Sequence, residues 1–125
     1  MKILAIDDNR TITNMIGEYL NSRGHDCMAS NDGREGLAMI LEQRFDAILL
    51  DLAMPKFSGY DIIESLIQSG KIKENNILVF SAGDIAEVEL KKLQDNGVNC
   101  SIHKTTDMLA LEKTIQSMVK SNHSS

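Results

Sequence analysis

Ala47-Ile48-Leu49-Leu50-Asp51-Leu52-Ala53-Met54-Pro55 opens with four consecutive apolar residues and then meets an aspartate. A strand with one wet face alternates apolar and polar side chains. A run without alternation is a strand covered on both faces, as in a parallel sheet held between helices. Two further runs, Ile3-Leu4-Ala5-Ile6 and Ile77-Leu78-Val79-Phe80, read the same way. Weaker strands are expected at 25–30 and 99–103.

Helical spacing fills the intervals. Ile12, Met15, Ile16, Tyr19 and Leu20 form one apolar stripe, and Leu37, Ile40 and Leu41 a second, opened by Asp32 with Glu35 three residues on, the pattern of a capping box. Ile63, Leu66 and Ile67 mark the third helix, and Ala86, Leu90 and Leu93 the fourth. Met108, Leu111, Ile115, Met118 and Val119 mark the fifth. Gly24, Gly70 and Gly97 follow three of these stripes, where a residue of positive φ commonly ends a helix. The order βαβαβαβαβα predicts an α/β domain, doubly wound, with right-handed crossovers. One domain over 1–121 and a polar tail over 122–125 are expected.

Composition narrows the function. The 125 residues carry 13 Lys plus Arg against 18 Asp plus Glu, a net charge of −5, which argues against direct nucleic-acid binding. No apolar run approaches a membrane span, and a cytoplasmic protein with no membrane partner is expected. Cys27 and Cys100 lack metal-ligand spacing and read as buried free thiols.

Open α/β sheets bind ligands beyond the carboxyl ends of their strands. Asp7-Asp8, Asp51, Ser81 and Lys104 all stand there. Three carboxylates this close raise one another's pKa unless a cation offsets them. Oxygen-only ligands in an incomplete set suit Mg²⁺. An aspartate beside such an ion is able to act as a nucleophile on phosphorus, with Ser81 as donor and Lys104 as a second cation for the phosphoryl oxygens.

Ile6-Asp7-Asp8, the 49–55 stretch with Gly59, Phe80-Ser81-Ala82, and Lys104 together resemble the receiver domains of two-component response regulators, stand-alone chemotaxis regulators among them, over roughly residues 2–120. The resemblance implies the flavodoxin-like strand order 2-1-3-4-5, which would put Cys27 and Cys100 on opposite sheet edges, out of disulfide reach. It implies Asp51 as phosphoryl acceptor, Asp8 as direct Mg²⁺ ligand, Asp7 holding the metal mainly through water, and the Ala53 backbone carbonyl completing the set, with Mn²⁺ able to substitute. Ser81 and Lys104 would contact the phosphoryl group. The donor would be a sensor histidine kinase or a histidine phosphotransfer protein, and the output a conformational switch toward a protein target or onward relay, from a monomer or weak dimer. The domain would assist its own phosphorylation and dephosphorylation without being a multiple-turnover enzyme on an external substrate.

Two positions depart from the family pattern: Ser101 stands where an aromatic switch residue is common, and Thr105 where proline follows the lysine. The Lys104–Thr105 bond is then either trans or cis under strain, since cis before a non-proline residue costs about 3–4 kcal/mol. The readout is expected in the Gly83–Asp84 loop and fourth helix. Ala53 and Gly83, flanking the family's route for the hydrolytic water, are too small to orient it. Two other readings remain: a pseudo-receiver that only binds proteins, and a Mg²⁺-dependent phosphatase of the haloacid-dehalogenase type, which wants a second acid where Ala53 stands.

Overall fold

The computed structural model describes residues 1–123. The elements are β1 (Lys2–Ile6), α1 (Arg10–Ser22), β2 (Asp26–Ser30), α2 (Gly33–Glu42), β3 (Ala47–Asp51), α3 (Gly59–Gln68), β4 (Ile77–Ser81), α4 (Glu87–Asp95), β5 (Cys100–His103) and α5 (Met108–His123), with a short 3-10 turn over Ile72–Glu74. All five strands form one parallel sheet in the order β2-β1-β3-β4-β5. Fold class and strand order are those expected.

The unbroken apolar runs are explained by alternation across the sheet. Leu4, Ile6, Ile48, Leu50, Ile77 and Val79 point to one face, where they bury Ile62, Ile63 and Leu66 of α3 and Leu93 of α4. Ile3, Ala5, Ala47, Leu49, Leu78 and Phe80 point to the other, against Ile16 and Leu20 of α1 and Leu111, Ile115 and Met118 of α5. Successive side chains serve opposite layers, so every position must be apolar.

Helix ends follow local chemistry. Asn9 caps α1 by accepting from the amides of Thr11 and Ile12, and Asp32 caps α2 by accepting from those of Arg34 and Glu35. The reciprocal capping box sits on α3, between Ser58 and Asp61. Gly24, Gly70 and Gly97 all have positive φ, as expected of helix-ending residues.

Several expectations need correction. On α1 it is Thr13 that is buried, while Met15 is 45% exposed. Asn31 donates to the Thr13 hydroxyl at 2.9 Å, and this bond turns that flank inward. Leu41 is half exposed, leaving Ile40 as the buried anchor of α2. Ala86 is the residue before α4, and within that helix only Leu93 is buried. Cys27 and Cys100 are half-buried, because edge strands lack a neighbour on one side; both are free thiols. Helix α5 runs through 122 and 123, two residues past the expected boundary; 124 and 125 lie outside the described residues. Strands β2 and β5 each begin one residue later than expected.

Register sets the functional rim. Ile6 pairs with Leu50, so Asp7 follows alongside Asp51. Ser81 pairs with His103, so Lys104 follows beside Ser81.

Candidate functional site

Asp51 is the last residue of β3, and Asp7 and Asp8 immediately follow β1. Asp7 and Asp51 are buried, whereas Asp8 is exposed. One carboxylate oxygen from each lies within 4.8 Å of the others.

The backbone holds these acids in place. The Asn9 amide donates to Asp7 Oδ1 at 2.9 Å, and the Ala53 amide to Asp51 Oδ1 at 3.1 Å. The Asn31 side-chain amide donates to the Asp7 carbonyl at 2.8 Å, tying β2 to the site. Gly59 allows the following loop to close: a Cβ there would stand 2.3 Å from the Asp51 carbonyl oxygen. Lys56, in the same loop, adopts a left-handed φ of 67°.

Lys104 enters from beyond β5. Its ammonium lies 2.8 Å from Asp7 Oδ2 and 3.3 Å from Asp51 Oδ2, and 5.9 Å from the centre of the buried Phe80 ring. The Lys104 amide donates to the Ser81 carbonyl at 2.8 Å, which fixes where the side chain starts. Burial pushes the Asp51 carboxyl up to about 6, and the charge of Asp7 adds to the rise; the Ala53 amide and Lys104 oppose it.

A cavity of about 460 Å³ opens over these groups. Asp7, Asp8, Asp51, Ala53, Ser81, Gly83 and Lys104 all line it, so the residues read from four separate strand ends do converge. Its oxygen-rich donor set, with one carboxylate oxygen each from Asp7, Asp8 and Asp51 within 4.8 Å of the others, fits a hard divalent cation. The Ser81 hydroxyl donates to the Gly83 carbonyl.

Ser101 and Thr105 are not among the cavity residues. Ser101 pairs with Val79 inside the sheet, while the Thr105 amide donates to His103 Nδ1 at 3.1 Å. No peptide bond among the described residues is cis, so Lys104–Thr105 is trans. Tyr60 and Glu89 also line the cavity, joined by a hydrogen bond from the phenol to the carboxylate. Neither belongs to a sequence motif, and their convergence depends on how α3 and α4 pack.

Comparison with known proteins agrees with this geometry. The family profile described as the response regulator receiver domain matches residues 3–116. The response regulator MprA of Mycobacterium leprae is 36% identical over 84 residues, 67% of this chain and 36% of that protein. The transcriptional regulatory protein HprR of Escherichia coli is 27% identical over 123 residues, 98% of this chain and 53% of that protein. The chain therefore spans about half or less of the length of these curated relatives. Among solved structures, the Vibrio cholerae chemotaxis protein CheY4 superposes with a TM-score of 0.84 at 27% identity, covering 94% of this chain and 97% of that one. An acidic pocket at the carboxyl edge of a 2-1-3-4-5 sheet and a family profile spanning nearly the whole chain lead to one conclusion: this chain belongs to the response regulator receiver domain family.

Proposed function

We propose that Asp51 accepts a phosphoryl group from the phosphohistidine of a sensor histidine kinase or histidine phosphotransfer protein. The observation that carries this reading is the buried Asp51 carboxylate, set between Asp7, Asp8 and the Lys104 ammonium at the floor of an open cavity. A carboxyl raised to about 6 is still mostly ionised at neutral pH, and its higher basicity favours attack on phosphorus. An Asp51 oxygen forms the new bond to phosphorus while the phosphorus–nitrogen bond of the donor breaks, both its electrons returning to the imidazole.

Asp8, Asp7, Asp51 and the Ala53 carbonyl would hold Mg²⁺, or Mn²⁺ in its place. Bound there, the ion supplies positive charge for the phosphoryl oxygens. Lys104 supplies more, shifting from its carboxylate partners toward the incoming group. The Ser81 hydroxyl gives up the Gly83 carbonyl and donates to a phosphoryl oxygen. That exchange loosens the loop before α4, whose hold on the core rests on Leu93. The resulting shift in a two-state equilibrium reaches a cytoplasmic protein partner, or the phosphoryl group passes on in a relay.

The test is direct. Incubated with Mg²⁺ and a small phosphodonor, the protein gains the mass of one phosphoryl group, and Asp51→Asn does not. Equal uptake by Asp51→Asn would refute the assignment of the nucleophile.

A further inference from the structure

The cavity over Asp51 has an inner and an outer wall. Buried Asp7 and Asp51, with half-buried Lys104, form the inner wall; exposed Asp8 and Tyr60 of α3, with half-buried Glu89 of α4, contribute to the outer. Asp51 is 3% exposed, whereas Tyr60 is 44% exposed and Glu89 half-buried, so the Tyr60–Glu89 pair stands nearer solvent than Asp51. The Tyr60 hydroxyl donates to Glu89 Oε1 and anchors that carboxylate from the neighbouring helix. Burial, with the bond to Glu89, pushes the Tyr60 phenol up to about 12, so it remains a donor at neutral pH.

An acyl phosphate ends when water attacks its phosphorus, and an oriented water needs an acceptor for one of its hydrogens. Ala53 and Gly83 offer no polar side chain, and a Cβ placed on Gly83 would meet nothing within 4 Å. Asp7 is engaged by Lys104, and Asp51 carries the phosphoryl group. Asp84 also lines the cavity but is exposed, in the loop before α4. Glu89 is the carboxylate of the outer wall that a neighbouring side chain holds in place.

We infer that Glu89 orients the water that hydrolyses phosphorylated Asp51 and that Tyr60 positions Glu89, so the α3–α4 pair sets the lifetime of the phosphoryl group. Water accepted by Glu89 forms a bond to phosphorus through its oxygen as the bond from phosphorus to Asp51 breaks. Both electrons of that bond return to the Asp51 carboxylate, and both hydrogens of the water leave on dihydrogen phosphate. Glu89 is unchanged at the end. Tyr60 acts through Glu89 and touches no reacting atom.

The inference rests on Asp51 as phosphoacceptor, and one experiment separates the two. The wild type and variants are phosphorylated with Mg²⁺ and a small phosphodonor, the donor is removed, and loss of the group is followed by intact mass. Glu89→Gln lengthens the lifetime about tenfold, a modest share of what positioned acid–base groups contribute. Tyr60→Phe lengthens it by a smaller factor, and the double variant lives no longer than Glu89→Gln alone, because the two act in series. Uptake rates stay at the wild-type value, and Asp84→Asn keeps the wild-type lifetime. An unchanged or shortened lifetime in Glu89→Gln overturns the inference alone, as does equal lengthening by Asp84→Asn. Multiplied factors in the double variant overturn the positioning role of Tyr60. No uptake by the wild type overturns the inference together with the phosphoacceptor reading.

Discussion

The Lys104 ammonium stands 2.8 Å from Asp7 Oδ2, a buried carboxylate oxygen. The lysine thus compensates a carboxylate that has little other means of compensation, and it does so while also facing Asp51 at 3.3 Å. Charge balance at this rim is a stability requirement as well as a chemical one.

Lys104→Met should therefore destabilise the metal-free domain by about 3 kcal/mol at pH 7, because it leaves a buried charge unpaired. Urea unfolding in a chelator measures this. Added Mg²⁺ should return part of the loss by binding the native state. A variant as stable as the wild type in chelator would show that Asp7 is compensated by other means.

Asp51→Asn should stabilise the metal-free protein at pH 7. The carboxyl of Asp51 is raised in the folded state to about 6 from the usual 3.8, so ionised Asp51 disfavours folding above pH 6. A shift of this size corresponds to on the order of 3 kcal/mol. The advantage of the variant shrinks as pH falls from 6 toward 4 and vanishes below, where the wild-type carboxyl is neutral in both states. Thermal unfolding across that range checks the sign; a gap that widens on acidification would contradict it.

At the opposite end of the sheet, buried Glu112 accepts from Arg23 and contacts His25 at 2.8 Å, and its pKa is lowered first by the hydrogen bond from Arg23, then by His25. A depressed carboxyl contributes stability above its unfolded value, which is lost as pH falls through the folded value. Glu112→Gln should lower the melting temperature at pH 7, and the two proteins should converge in acid below the ordinary carboxylate range. A constant difference at all pH values would point to packing instead of charge.

Two glycines near the site should respond in opposite ways. A Cβ on Gly59 would press on the Asp51 carbonyl and the Leu52 Cα, at 2.3 and 2.8 Å, and backbone cannot yield as a side chain does. Gly59→Ala should cost about 2–3 kcal/mol, the scale of overpacking. Gly83→Ala should change stability by less than about 0.5 kcal/mol, since the space around it is open. Gly83→Leu should retard loss of the phosphoryl group by narrowing the approach of water. Denaturation and dephosphorylation assays on the three variants decide the matter.

For the switch, backbone NMR shifts with and without a phosphoryl mimic should change from Ala82 through Lys92 and little around Ser101. Ser101 lies in the sheet and has little apolar area with which to fill vacated space. Large changes centred on Ser101, with 82–92 silent, would place the moving part elsewhere.

The layered fold and the inner half of the site were legible in the sequence for one physical reason. Strands buried on both faces must be apolar at every position, and residues at the ends of parallel strands share a rim, so Asp7, Asp51, Ser81 and Lys104 converge once the strands are placed. Helix faces were less legible, as Met15 and Thr13 illustrate: apolar spacing defines a stripe, but the bond from Asn31 chooses which flank turns inward. The Tyr60–Glu89 pair and the Arg23–Glu112–His25 cluster join residues 29 to 89 positions apart. Neither lies at the carboxyl ends of the strands, so only the packing of one helix or turn against another decides that their side chains meet.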